Sequence, residues 1–320
     1  MNILPLPFTL YNGWIEKMYI YTDIVSRFTC QMCGTCCSNP WQVTVDKASY
    51  CRNEALFTAS GRKAEFEQAF ITLEGRGGYG EYAYIAKQAG GGCWFLHTDN
   101  LCRLHKEAGH SHLDAVCRTF PRYPVNTARG NEITLSFSCP AVLKLADRDE
   151  ALRLIRADSP PLDLIDNNYA AEIYPQQQPE LQPLRYYFEL ESHFIDLLQC
   201  RAMSLGERLA FLADTVQAVD SLAGDQAIAR GVTALFNRNY DWLDELAAAG
   251  EPARLEAGSR LLENYFVSLL FKKPFYIFGF AKTLQLLNHI WQQLTGADDL
   301  GREIMRLELQ YGHDRQALWR

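Results

Sequence analysis

The stretch Cys30-Gln31-Met32-Cys33-Gly34-Thr35-Cys36-Cys37 places four thiols within eight residues. Neither an apolar core nor a helix face has a use for sulfur at that density. Thiolate is the metal-ligating form of cysteine, and two-residue gaps let neighbouring sulfurs converge on one ion or cluster. Gly34 supplies the backbone freedom that such a turn requires. Residues 30–37 therefore have to form a compact loop with gathered thiols, and the remaining chain is built around it.

Four further cysteines follow at turns or strand ends. Cys93 comes after Gly90-Gly91-Gly92, Cys102 closes a turn at Asp99-Asn100, Cys117 opens Cys117-Arg118-Thr119-Phe120-Pro121-Arg122, and Cys139 precedes Pro140. Eight of the ten cysteines thus form one ligand pool: Cys30, Cys33, Cys36, Cys37, Cys93, Cys102, Cys117 and Cys139. Cys51 and Cys200 stand outside it and read as small buried hydrophobes. A disulfide framework is disfavoured, because Met1 to Phe28 has no signal-peptide pattern and a chain of 320 residues needs no stapling. The expected compartment is a reducing cytoplasm.

With 48% apolar residues the chain buries a full core. The amino terminus is interrupted by Pro5, Pro7, Glu16, Lys17 and Asp23, so no membrane span is expected there. The net charge of −7 divides unevenly, with fifteen basic and fifteen acidic residues in 1–150 against sixteen and twenty-three in 151–320. An acidic chain without a recognition motif offers no footprint for nucleic acid, which leaves proteins or small molecules as partners.

Hydrophobic spacing predicts an α+β fold: a small cysteine-rich, metal-binding α+β region with short hairpins, followed by an all-α helical half. The expected divisions are a cysteine-cluster domain over 1–157, a Pro-rich linker over 158–184 and a helical domain over 185–320. Within the first, Leu10, Trp14 and neighbours up to Val25 suit a strand or a short helix laid against the body, Trp41–Val45 alternates as a strand, and Asp46 caps a helix from Lys47 to about Asn53. A helix is expected over Gly61–Leu73, turns at Gly75, Gly77, Gly78 and Gly80, and a strand over Tyr82–Ile85. Cys93–His97 and Leu101–Leu104 read as one hairpin, and Tyr123–Val125 and Ile133–Ser138 as a second whose open end lets Cys117 approach Cys139. Between them Leu104–Ala108 forms a helical turn ended by Gly109, and Ser111 caps a helix through Val116. Beyond 184, helices are expected over Arg185–Cys200, Ser204–Val219, Ala227–Ala249, Arg254–Lys273, Phe275–Leu294 and Leu300–Leu318.

Four thiolates suffice for a structural zinc ion or a [4Fe–4S] cluster, and eight suffice for two sites. Spacing does not decide, although the compact CxxCxxCC run leans toward iron–sulfur. The radical-type spacing CxxxCxxC is absent, because no cysteine follows Cys37 by three positions. Arg103, Lys106, Arg118 and Arg122 surround the later thiols; a solvated face suits the first two as well as a site does, whereas Arg118 and Arg122, fixed beside a ligand and a proline, are the candidate catalytic residues. His105 has Cys-x-x-His spacing from Cys102 and is a subsidiary ligand candidate; His97, His193, His289 and His313 read as structural or surface residues. No phosphate-binding fingerprint, Ser-His-Asp elbow, HExxH helix or carboxylate pair is present, so any chemistry belongs to a metal centre or an added cosubstrate.

Taken together, Phe28-Thr29-Cys30-x-x-Cys33-x-x-Cys36-Cys37, Trp41-x-Val43-x-x-Asp46-x-x-x-Tyr50, Cys93-x-Phe95-Leu96, Leu101-Cys102-x-Leu104, Cys117-Arg118-Thr119-Phe120-Pro121-Arg122 and Ser136-x-Ser138-Cys139-Pro140 resemble the flagellin lysine-N-methylases and the wider CxxCxxCC family of zinc- or iron-chelating proteins. Leu262-Glu263-Asn264-Tyr265-Phe266-Val267-x-x-Leu270-Phe271-Lys272 is similar to their helical half. The resemblance implies an iron–sulfur cluster on the cysteines and methyl transfer from S-adenosylmethionine to lysines of a flagellin-like protein. Two other function classes stay open: a zinc- or cluster-stabilised binding module without catalysis, and an electron-transfer or metal-handling protein.

Overall fold

The computed structural model describes residues 18–74, 81–161, 170–249 and 258–312. It is an α+β fold with a helical carboxy-terminal half. The chain enters as β1 (Tyr19–Thr22) and turns into the single-turn helix α1 (Ile24–Arg27). The cysteine loop follows and ends in the short helix α2 (Thr35–Ser38), then β2 (Thr44–Val45). Asp46 caps α3 (Lys47–Ala59) as the sequence predicts, accepting the Ser49 amide at 2.8 Å, and the helix runs six residues past Asn53.

The helix expected over 61–73 is split. Lys63–Ala69 is helical (α4), but Phe70–Thr72 forms β3, because Phe70 and Ile71 pair with β4 (Ala83–Ile85) instead of continuing the helix. The expected hairpin about Thr98–Asn100 is reduced to a bridge between Leu96 and Cys102, because Cys102 already leads into α5 (Arg103–Ala108). Ser111 caps no helix. His110–His112 make one 3-10 turn, buried Leu113 is extended, and α6 (Ala115–Thr119) starts only after Asp114.

The second hairpin is longer than expected, β5 (Arg122–Thr127) with β6 (Gly130–Leu135), and it stops before Ser136, whose amide turns to the Pro121 carbonyl at 2.7 Å. Cys139 leads into α7 (Pro140–Ala146); β7 (Leu154–Ala157) and β8 (Glu172–Ile173) complete the strands. Among the described residues the strands make a mixed five-stranded sheet, ordered β7-β1-β6-β5-β8, and a three-stranded antiparallel sheet, ordered β2-β4-β3. Within the larger sheet β1 runs parallel to β6, and β8 parallel to β5.

The helical half comprises α8 (Tyr187–Gln199), α9 (Leu205–Asp220), α10 (Ile228–Ala249), α11 (Ser259–Phe271), α12 (Pro274–Phe278), α13 (Phe280–Thr295) and α14 (Leu300–Leu307). Helix α9 carries a full Ser204–Glu207 capping box. The continuous helix expected over 275–294 breaks at Gly279, whose φ of 80° ends α12. The turns expected at 75–80, Leu10 and Trp14, the start of the helix at Arg254, and His313 all lie outside the described residues. Among the described residues no helix is long and apolar enough to cross a membrane.

Two apolar cores result. The smaller joins α3, α4 and the three-stranded sheet through Phe57, Phe66, Phe70 and Phe95, with the Phe66 and Phe70 rings stacked at 4.8 Å. The larger runs from Ile20 through β6 and α7 to Leu307, so the larger sheet and the helical half share one interior. Buried polar groups tie them together. Thr22, Thr134 and Ser268 form a hydroxyl ladder at 3.3 and 2.7 Å, and Asn264 on α11 holds Leu152 N–H and the Ala146 carbonyl. Glu132 in the middle of β6 and Glu191 on α8 both face Lys273, each at 2.6 Å, and both accept from Arg129 at 2.9 Å. Burial raises both carboxyls, but at Glu132 the Lys273 and Arg129 charges outweigh it and hold the group below the ordinary range; at Glu191 burial prevails. Glu263 is satisfied in the same way by Arg208 and Arg201.

Candidate functional site

The cysteine loop begins where α1 ends. The Cys30 sulfur accepts the Met32 amide at 3.4 Å, and Gly34, at φ 73°, turns the chain so that its carbonyl accepts the amides of Cys37 and Ser38 at 2.9 and 3.0 Å. That turn seats Cys36 and Cys37 side by side on α2, with sulfurs 3.9 Å apart. The Cys93 amide then donates to the Cys37 carbonyl at 2.8 Å, and Gly34 lies against Asn100. The loop is thereby fastened to both the segment at 93 and the turn at 97–102.

All eight cysteines of the pool line one cavity of about 430 Å³. Cys117 comes from α6, Cys139 from the residue ahead of α7, and Cys102 from the residue ahead of α5, so both apolar cores contribute thiols. All ten cysteines are free thiols. Cys51 and Cys200 were expected to be buried; Cys51 is exposed because it lies on the outward face of α3, and Cys200 is half-buried beyond the end of α8. Cys30 and Cys33 are exposed and Cys93 and Cys139 buried, so the cavity has an open mouth and a closed floor.

The thiols differ electrostatically. The hydrogen bond from Cys37 lowers Cys36 to about 7, and the same bond pushes Cys37 well up. Burial raises Cys93, Cys102, Cys117 and Cys139. Backbone amides partly oppose it: those of Leu104 and His105 face Cys102, and those of Ala141 and Val142 face Cys139. A desolvated thiol becomes a thiolate when a cation joins it, and the amides are placed to receive that charge. Thiols are the donor chemistry that a thiophilic metal group requires, and Cys30, Cys33, Cys36, Cys37, Cys93, Cys102, Cys117 and Cys139 are the residues that could hold one. As they stand among the described residues, no three His, Cys, Asp or Glu side chains close on a single ion.

Of the basic candidates, Arg122 lines the cavity, and its guanidinium lies 5.3 Å over the Phe28 ring; burial lowers it and the Cys30 sulfur raises it. Arg118 lies behind the wall with its Nε unpartnered. Arg103 is paired outward with Glu65 at 3.1 Å, whereas Lys106 lines the cavity and pairs with Asp99 at 2.8 Å. His105 lines the cavity too, its ring 5.8 Å from His110.

Sequence reasoning misses Asp114 and the apolar rim. Asp114 is 1% exposed, and burial, followed by the charge of Asp46, pushes its carboxyl up to about 7. Its signal is an acidic residue three positions ahead of Cys117, obscured when the cap is assigned to Ser111. Met32 and Val116 are exposed at the cavity edge, and the Trp41 ring packs edge-on against Phe120 at 5.1 Å.

The chain is similar to three curated proteins over a stretch of 122 residues, 37% of its length. It is 30% identical to the flagellar biosynthetic protein FliU of Salmonella muenchen and covers 70% of that protein. The chain belongs to the FliU and lysine-N-methylase family. It is 30% identical to the lysine-N-methylase of Salmonella typhimurium and 29% identical to that of Salmonella choleraesuis, and in both the match covers 29% of the relative. The matched stretch is thus under a third of the length of those two enzymes. No protein-family model and no solved structure matches the chain.

Proposed function

We propose that this protein is an iron–sulfur-dependent protein-modifying enzyme that transfers a methyl group from S-adenosylmethionine to a lysine of a flagellin-like protein. The observation that carries the reading is the convergence of eight thiols on one open-mouthed cavity in a chain of the FliU and lysine-N-methylase family. A sphere of the cavity's volume has a radius of roughly 5 Å, about twice a zinc–sulfur bond, which favours a cluster over a single ion. A cluster held by these thiolates supplies redox and Lewis-acid chemistry. The chain's own residues do the rest: Arg122 offsets negative charge at the wall, Phe28 and Trp41 exclude water, and the exposed mouth admits a protein side chain. Methylation is balanced when the amine nitrogen forms its bond to the methyl carbon, the sulfonium takes back the carbon–sulfur electron pair, and the amine gives up one proton. Free thiols accord with a reducing cytoplasm.

A second reading, a metal-stabilised binding module, is favoured by the small size of the core at 43–104, which a metal would reinforce. One experiment separates the two. Anaerobically purified protein is analysed for iron and acid-labile sulfide, then given labelled S-adenosylmethionine and flagellin. Iron and sulfide in near-equal amounts with label on lysine supports the enzyme; zinc without sulfide and no label after reconstitution overturns it.

A further inference from the structure

One buried carboxyl at the thiol cavity faces two arginines yet receives a hydrogen bond from neither. Asp114 lines the cavity and is 1% exposed, yet neither carboxylate oxygen finds a hydrogen-bond partner beyond the residue's own backbone amide. Its charge acts on the thiols of Cys93, Cys102 and Cys117, which line the same cavity. The charged groups facing it are Asp46, Arg52 and Arg118. Asp46 is engaged with Ser49, at 2.8 and 2.7 Å, and Arg52 gives its Nη2 to Ser49 Oγ and the Leu113 carbonyl, at 3.0 and 3.4 Å. Arg118 and Arg52 each keep an unpartnered Nε, and neither donates to Asp114.

Buried carboxylates are ordinarily hydrogen-bonded or paired, and one that is neither marks a place where a ligand brings the missing donors. The rest of the cavity says what kind of ligand. Met32 and Val116 line its edge and are 59% and 38% exposed, an apolar rim outside the wall that holds Asp114. An apolar stem ending in a compact cation matches that order, and lysine is the side chain built so.

We propose that Asp114 receives the ε-ammonium of the substrate lysine, with its methylene stem laid against Met32 and Val116. This inference rests on the lysine-methylation reading and assigns the residue that binds its substrate. Three donors on the ammonium satisfy both empty oxygens, and the carboxylate brings the nitrogen into the cavity that Cys93, Cys102 and Cys117 line.

The test uses n-butylammonium, which reproduces the lysine side-chain terminus, and 1-pentanol as a neutral control. Binding to full-length, metal-loaded protein is measured by calorimetry for the wild type, Asp114→Asn and Asp114→Ser. A charge-assisted contact predicts butylammonium binding to the wild type that is roughly tenfold or more weaker in both variants, with pentanol unchanged and iron and sulfide retained. Butylammonium also competes with protein substrate in the wild type, which needs no variant to fold. Equal binding to wild type and variants, or no binding to the wild type, overturns the inference. So does loss of iron in folded variants, which would make Asp114 a metal-holding group, or Asp114-dependent binding of S-adenosylmethionine in place of butylammonium. The two readings fail separately: Asp114-dependent ammonium binding without methyl transfer sinks methylation and leaves the site, whereas wild-type transfer by D114N sinks the site and leaves methylation.

Discussion

Replacing Gly34 by alanine tests whether the cysteine loop is held by a contact that only glycine permits. Gly34 has φ 73°, and a Cβ built on it meets the Asn100 carbonyl oxygen at 2.8 Å and the Asn100 Cβ at 2.9 Å. Left-handed backbone costs alanine about 1–2 kcal/mol, and forcing a methyl group into a closed contact costs about 1–3 kcal/mol more. The total of about 2–5 kcal/mol is a large part of the 5–15 kcal/mol typical of a domain. Gly61 provides the control, because its φ is 69° and a Cβ there meets nothing within 4 Å. Gly61→Ala should therefore show the backbone penalty without the contact. In urea unfolding followed by circular dichroism, G34A should be less stable than G61A by about 1–3 kcal/mol. Since Asn100 sits beside Cys102, and the Cys37 carbonyl accepts the Cys93 amide, the same displacement parts the loop thiols from the others, and iron per chain should fall in G34A but not in G61A. Equal stability and equal iron in the two variants would refute the argument that this approach assembles the cavity.

Lys273→Met leaves Glu132 and Glu191 buried with Arg129 as their shared counter-charge, which should cost about 3–5 kcal/mol at neutral pH. Glu191, already held above the ordinary carboxyl range by burial, then rises further, so the loss should shrink on acidification and in the K273M/E191Q double variant; a K273M protein within 1 kcal/mol of wild type by chemical unfolding,, or no rescue by E191Q, contradicts the network. Burial lowers His193 from 6.5 to about 4, where its Nε2 is bonded to Asn239 at 3.0 Å. The unfolded chain therefore binds the proton first: the contribution is intact above pH 6.5 and is lost as pH falls through about 4. The loss amounts to about 3 kcal/mol. His193→Gln should flatten the stability profile across that window; an unchanged profile rules the assignment out.

The parts of the molecule legible from sequence are those where local chemistry has one outlet. Four thiols in residues 30–37 have no packing use, and all eight of the pool do meet in one cavity. Asp46 caps its helix as read, because a cap depends on three or four neighbouring residues. Phe70–Thr72 was misread since its apolar spacing continues that of α4, and its strand state is decided by β4, whose paired residues lie eleven to fifteen positions on. Glu132 was not singled out at all, because the strand was expected to begin only at Ile133. Its neutralising partner, Lys273, is 141 residues distant, and no window along the chain contains both. Asp114 escaped for a local reason: the cap was assigned to Ser111, which put Asp114 inside the expected helix, and its burial is set by tertiary packing.

The cavity also sets a schedule for biosynthesis. Its first four thiols are complete at Cys37, while Cys139, on the floor, is translated 102 residues later. At about 5–20 residues per second, that interval lasts roughly 5–20 s, and for more than its first half Cys30 to Cys37 have neither the Cys93 amide nor Asn100 to hold them. The nascent loop is then a cluster of adjacent, accessible sulfhydryls facing every oxidant and stray metal in the cell. Its survival up to residue 139 depends on the reducing capacity of the cell and not on the fold, so oxidative stress should strike this protein during translation more severely than after it is complete.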